Sequence, residues 1–230
     1  MSTIIMTFTV IYLSENEEKE KTDDPSRQIF TTKRCCMEGL FMDNGGNKEN
    51  TDYLMVYDEI TDRARQRARD NHKQGMNCGE STFQAVLATL REENMTDCPL
   101  EAVALATGFG GGIGSSGNTC CALIGAVMGM SSVHGRDPSV PATPEERRDQ
   151  LGGENGRYRL YNNMVHEFKD FTGTSSCAEL TCPYDYSSEE RKEFCRTIIG
   201  EAAALAVKWT LIGKERGYTH PFRYNIMGRK

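Results

Sequence analysis

Residues 100–117 read Leu-Glu-Ala-Val-Ala-Leu-Ala-Thr-Gly-Phe-Gly-Gly-Gly-Ile-Gly-Ser-Ser-Gly, and their reading decides the fold. Gly112-Ile-Gly-Ser-Ser-Gly117 matches the G-x-G-x-x-G of a dinucleotide-binding turn, a helix is expected after it, and Asp137 lies downstream at the right spacing for a ribose ligand. Such a site also needs a parallel strand feeding the loop, inside a βαβ unit. Here Pro99 opens the preceding segment as prolines open helices, and Leu100–Thr107 reads as helix. The loop is therefore read as a tight turn that lets helices approach closely. Gly110, Gly112 and Gly114 are its candidate cofactor contacts.

Helical signals continue in both directions. Asn77 is placed to cap a helix from Cys78 to about Glu93, with Phe83, Val86, Leu87 and Leu90 on its apolar face. Before it, Val56, Ile60, Ala64 and Ala68 recur at every fourth position, with acids near the start and bases toward the end. After the loop, Asn118 or Thr119 starts a helix over Cys120–Met130, on which Cys121, Gly125 and Gly129 form a flat strip. Thr143-Pro144-Glu145-Glu146 starts another, which Gly152, Gly153 and Gly156 break before a piece carrying Tyr161, Val165 and Phe168. Ser175/Ser176 begin a short turn, and Ser187/Ser188 cap a last helix running past Trp209. The expectation is an all-α domain of six or seven helices over 53–213, with a glycine-rich loop and a tail at 214–230. Residues 1–52 read as an arm: Ile4–Leu13 has strand composition, Glu15–Asp24 is a charge run, and Asp43–Asn50 is linker chemistry.

The chain has 230 residues and a net charge of −6, which disfavours a nucleic-acid partner. No stretch reaches the roughly 18 apolar residues of a membrane helix. Ile4–Leu13 lacks a preceding base and a small-residue cleavage site, so a secretory signal is not expected and the cytoplasm is. Nine cysteines in that compartment read as thiols, ligands or catalytic groups better than as a disulfide scaffold. Four stand out. Cys78, Cys120 and Cys177 fall at predicted helix starts, where amides and the helix dipole lower a thiol pKa; Cys195 lies on the buried face of the last helix. No C-x-x-C or C-x-x-C-H occurs, so thioredoxin-type exchange and zinc ribbons lack their usual signature and covalent haem has nowhere to attach. The long intervals between these cysteines require the fold to build any shared site. His72, His134, His166 and His220 are scattered and read as surface or capping residues, and Arg157, Arg159 and the charged run 189–193 as solvated faces.

Asn77-Cys-Gly-Glu80, Ala106–Gly114, Gly117-Asn-Thr-Cys-Cys-Ala-Leu-Ile-Gly125, Gly173–Cys177 and Phe194-Cys195 together resemble the C_GCAxxG_C_C family of redox-active proteins, in order and over about residues 73–210. The resemblance implies a helical fold and four functional cysteines, mapped to Cys78, Cys120, Cys177 and Cys195. Cys121 is taken to stand where glycine is usual, which leaves open whether Cys120 or Cys121 is the functional thiol. Split-Soret cytochromes c share this type of domain and hold an iron–sulfur centre, but the haem motif is missing here. Two chemistries follow on the same residues: thiol–disulfide exchange, or electron transfer through a [2Fe–2S] cluster held by the four thiolates. Oxidoreductase and electron-transfer protein both fit, with an unidentified redox partner protein, and a homodimer is compatible. The alternatives are a cysteine-rich helical binding module without redox activity and, less favoured, a nucleotide-binding enzyme.

Overall fold

Asn77 starts the helix that follows it by the device its sequence announces. Its side chain accepts from the Glu80 amide at 3.0 Å, and the Glu80 carboxylate accepts from the Asn77 amide at 3.0 Å. This reciprocal box satisfies two of the amides a helix start leaves open. The computed structural model describes residues 51–228; the expected arm, with Cys35 and Cys36, lies outside them save for its last two positions. Seven α-helices follow: α1 Thr51–Lys73, α2 Cys78–Glu92, α3 Cys121–His134, α4 Pro144–Gly152, α5 Tyr158–Thr172, α6 Cys177–Thr181 and α7 Glu189–Arg216. Leu100–Phe109, between α2 and α3, is a 3-10 helix. Among the described residues there is no strand, only an isolated antiparallel bridge between Thr119 and Ser176. The protein is all-α, as the sequence predicts.

The core lies where α7 crosses α1, α2, α3 and α5. Ile60, Ala64 and Ala68 of α1 meet Ile199, Ala203, Ala206 and Val207 of α7, and Leu160, Met164 and Phe168 of α5 close the far side. Small residues let these helices approach. A side chain at Gly125 would stand 2.5 Å from the Gly79 carbonyl oxygen, and one at Gly129 would collide with Val86. The Cys121–Gly125–Gly129 strip is therefore the face on which α2 rests, and it brings the N-termini of α2 and α3 side by side. Thr143 and Glu146 form the second capping box, at 3.2 and 2.7 Å. Ser188 caps α7 through the Arg191 amide at 3.1 Å.

One boundary differs from the expectation. Helix α3 begins at Cys121, so Cys120 is its N-cap residue rather than part of its first turn. The reason is tertiary: the Cys120 amide is taken by the Ser175 carbonyl at 2.7 Å, which holds the chain extended there.

Candidate functional site

Five cysteines line one cavity of about 780 Å³: Cys78, Cys120, Cys121, Cys177 and Cys195. Cys78, Cys121 and Cys177 are the first residues of α2, α3 and α6, while Cys195 faces inward from the second turn of α7. Backbone bonds fix their neighbourhood. The Cys177 amide donates to the Asn118 carbonyl at 2.6 Å and the Ala178 amide to the Gly117 carbonyl at 2.9 Å, both on one side of the Thr119–Ser176 bridge. Cys98 packs elsewhere, beside Phe83 and Leu87. Cys182 is exposed and outside the cavity.

The glycine-rich loop forms the roof. Gly111, Gly112, Ile113, Gly114 and Ser115 all have φ between 56° and 73°, five consecutive left-handed residues. For Ile113 and Ser115 this conformation costs on the order of 1–3 kcal/mol each. The Gly114 and Ser115 amides close the loop on the Gly108 and Gly110 carbonyls at 2.9 Å each, and the three preceding amides serve sulfurs. The Ile113 amide donates to Cys121 Sγ at 3.2 Å. The Gly112 amide serves the same sulfur, and the Gly111 amide serves Cys78. Gly110 and Gly112 line the cavity; Gly114 does not, and the space around it is open.

The thiols are not acidic, contrary to the expectation for helix starts. Burial pushes Cys78 up to about 12, with further upward push from Cys195, Cys121 and Cys177. Burial likewise raises Cys120 to about 12, against the downward pull of the Ala122 and Leu123 amides. Cys121, Cys177 and Cys195 are also raised, again chiefly by burial. Desolvation and thiol–thiol proximity outweigh the amides, and α6 is only five residues long, so its dipole is small.

Two residues read as surface, Arg191 and His72, belong to the site, and Arg196 joins them. Arg191 and Arg196 line the cavity from α7 and hold Cys195 down against its burial; Arg191 does the same for Cys177. The available signal was spacing, since Arg191 precedes Cys195 by one helical turn. His72 also lines the cavity, with Nδ1 buried and unbonded. Burial, then Arg196 and Arg191, lower its pKa. All seven described cysteines are free, and among the described residues no three His, Cys, Asp or Glu side chains are grouped to hold one metal ion. What the five cysteines share is the lining of one cavity.

Residues 76–209, more than half of the chain, match the family described as "Putative redox-active protein (C_GCAxxG_C_C)". The chain belongs to this family. A protein of Archaeoglobus fulgidus, described as uncharacterized, is 25% identical over 155 residues, which cover 65% of this chain and 94% of that one. No solved structure matches. The family's name spells Gly-Cys-Ala-x-x-Gly. Cys121-Ala122-Leu123-Ile124-Gly125 continues that pattern, so Cys121 takes the place of the motif cysteine and Cys120 that of its first glycine. This reverses the register expected above. Gly125, the closing glycine, is the one that α2 rests against.

Proposed function

We propose that the cavity holds a [2Fe–2S] cluster on Cys78, Cys121, Cys177 and Cys195, through which the protein exchanges electrons with a partner protein in the cytoplasm. The observation that carries this reading is that Cys78, Cys121, Cys177 and Cys195, presented by four separate helices, line one cavity. Burial also raises all four thiols, Cys78 to about 12, where roughly one thiol in a hundred thousand is ionised at pH 7. Exchange with a disulfide needs a thiolate at ambient pH, so these sulfurs are poor attackers. Coordination to iron removes the thiol proton outright and turns the same burial into exclusion of water.

The donor set fits the group. Each iron of such a cluster takes two thiolates, so the sulfurs need to stand in pairs around a space, not three around one ion. The amides of Gly111, Gly112 and Ile113 are aimed at two of these sulfurs and would stabilise their negative charge. A bound cluster would supply one-electron transfer. Cys120 is 8% exposed and packs in the main core cluster, which suits a spacer in the position of a glycine.

Reconstitution with iron and sulfide without oxygen tests the proposal. The expected product absorbs in the visible and carries about two irons and two sulfides per chain. Cys121→Ser and Cys195→Ser should abolish the colour, and Cys120→Ser should retain it. A colourless wild-type protein overturns the proposal, and colour lost in Cys120→Ser but kept in Cys121→Ser overturns the ligand set.

A further inference from the structure

Arg191 shares a face of α7 with Cys195, and both line the thiol cavity. The other cations around it have carboxylate partners: Lys192 with Glu189 at 2.6 Å, Arg196 with Glu193 at 2.8 Å and Lys73 with Asp70 at 3.4 Å. Arg191 has none among the described residues. Tyr186 holds it instead: Nη1 donates to the Tyr186 carbonyl at 3.0 Å, and the guanidinium lies 4.4 Å over the Tyr186 ring. A carbonyl dipole and a ring face orient a guanidinium without neutralising it. Its charge reaches both Cys177 and Cys195.

We infer that Arg191, clamped by Tyr186, is the fixed cation of the site and raises the reduction potential of the group held by Cys177 and Cys195. This rests on the cluster reading. Reduction adds one electron from a one-electron donor, with no bond made or broken and no proton moved. An uncompensated positive charge beside two of the ligands therefore favours the reduced state. With the partial screening of a half-exposed site, removing it should lower the reduced-to-oxidised ratio at fixed potential about tenfold. For one electron that is 59 mV. Arg191 is a positioning residue in this role, since its action runs through the sulfurs.

Potentiometric titration of the reconstituted full chain, followed by its visible band, is the test. Arg191→Gln should shift the ratio about tenfold toward the oxidised form. Arg191→Lys, which keeps the charge, should restore most of the difference, and Arg148→Gln on the exposed face of α4 should leave it unchanged. Should Arg191→Gln fail to load iron, Tyr186→Leu decides, with a smaller shift in the same direction expected. An unchanged ratio in Arg191→Gln, or in Tyr186→Leu where that variant decides, overturns the inference and leaves the cluster reading intact. A wild-type chain that takes up no iron overturns both.

Discussion

Gly125→Ala pits helix propensity against helix packing, and the two give opposite signs. Inside an α-helix, alanine is favoured over glycine by about 1 kcal/mol. Position 125 lies in the second turn of α3, so propensity alone predicts a gain. The new methyl, however, would stand 2.5 Å from the Gly79 carbonyl oxygen and 3.0 Å from the Phe83 amide nitrogen, where ordinary contact begins at 3.4 Å. Both obstacles are backbone atoms of α2, so no side-chain rotation relieves them, and the two helices must separate. Overpacking of this kind costs up to about 3 kcal/mol. The net loss is then about 2 kcal/mol, a melting point lower by roughly 4–8 °C for a domain of this size. Gly200→Ala is the internal control. Its methyl would meet Arg69 Nε at 2.8 Å and the Arg65 and Arg69 side-chain methylenes at 3.0 and 3.1 Å, all on flexible chains that can swing aside. Differential scanning calorimetry of the two variants should show Gly125→Ala well below the wild type and Gly200→Ala near it. A Gly125→Ala protein that melts at or above the wild-type temperature would refute the close approach of α2 and α3.

The remaining expectations concern protons and the loop. The Cys78 and Cys120 thiols are raised from 9.0 to about 12 in the folded chain. The unfolded chain thus loses these protons first, so apo-protein stability is full below about pH 9 and falls as pH rises toward 12. Urea titrations at pH 8 and 10 read this, and equal midpoints would contradict it. His134 is buried, its Nε2–H donating to the Thr210 carbonyl (3.0 Å) and its Nδ1 bonded to the Tyr218 hydroxyl (3.3 Å), and burial lowers its pKa. Stability should therefore fall as pH drops below 6.5, and His134→Gln should flatten that slope; His72 and His220, shifted the same way, account for what persists. Gly112→Ala should cost about 3 kcal/mol, because φ is +73° and the methyl meets Asn118 N at 2.6 Å and Cys177 Cβ at 2.8 Å. Gly114→Ala, with similar φ but open space, should cost about 1 kcal/mol by chemical denaturation, and equal losses would show that the loop does not press on α6.

The elements were legible because their signals are local. The Asn77–Glu80 and Thr143–Glu146 boxes, the fourfold spacing of Ile60, Ala64 and Ala68, and the Cys121–Gly125–Gly129 strip each declare a helix or its face within a few residues. What misled was tertiary. The helix-start argument for acidic thiols counts nearby amides and omits burial, which only the assembled cavity reveals. Arg191 and Lys192 sit in a run of charges that looks solvated until α7 is packed beside α1 and the glycine-rich loop. The Cys120/Cys121 choice turned on a register that neither residue's own chemistry states.

The Thr119–Ser176 bridge makes residues 120–175 a closed excursion: the chain leaves the cysteine cavity and returns to within one backbone hydrogen bond of its departure point. The entropy of closing such an excursion grows only logarithmically, by about 0.6 kcal/mol for each doubling of its length. Its stretch 137–142, exposed save for the half-buried Ala142, carries no helix. The separation of Cys120 and Cys177 along the chain is thus decoupled from their separation in space. Extra residues, or a whole reporter domain, can enter at 137–142 while the geometry around the sulfurs is kept by bonds that the insertion never touches.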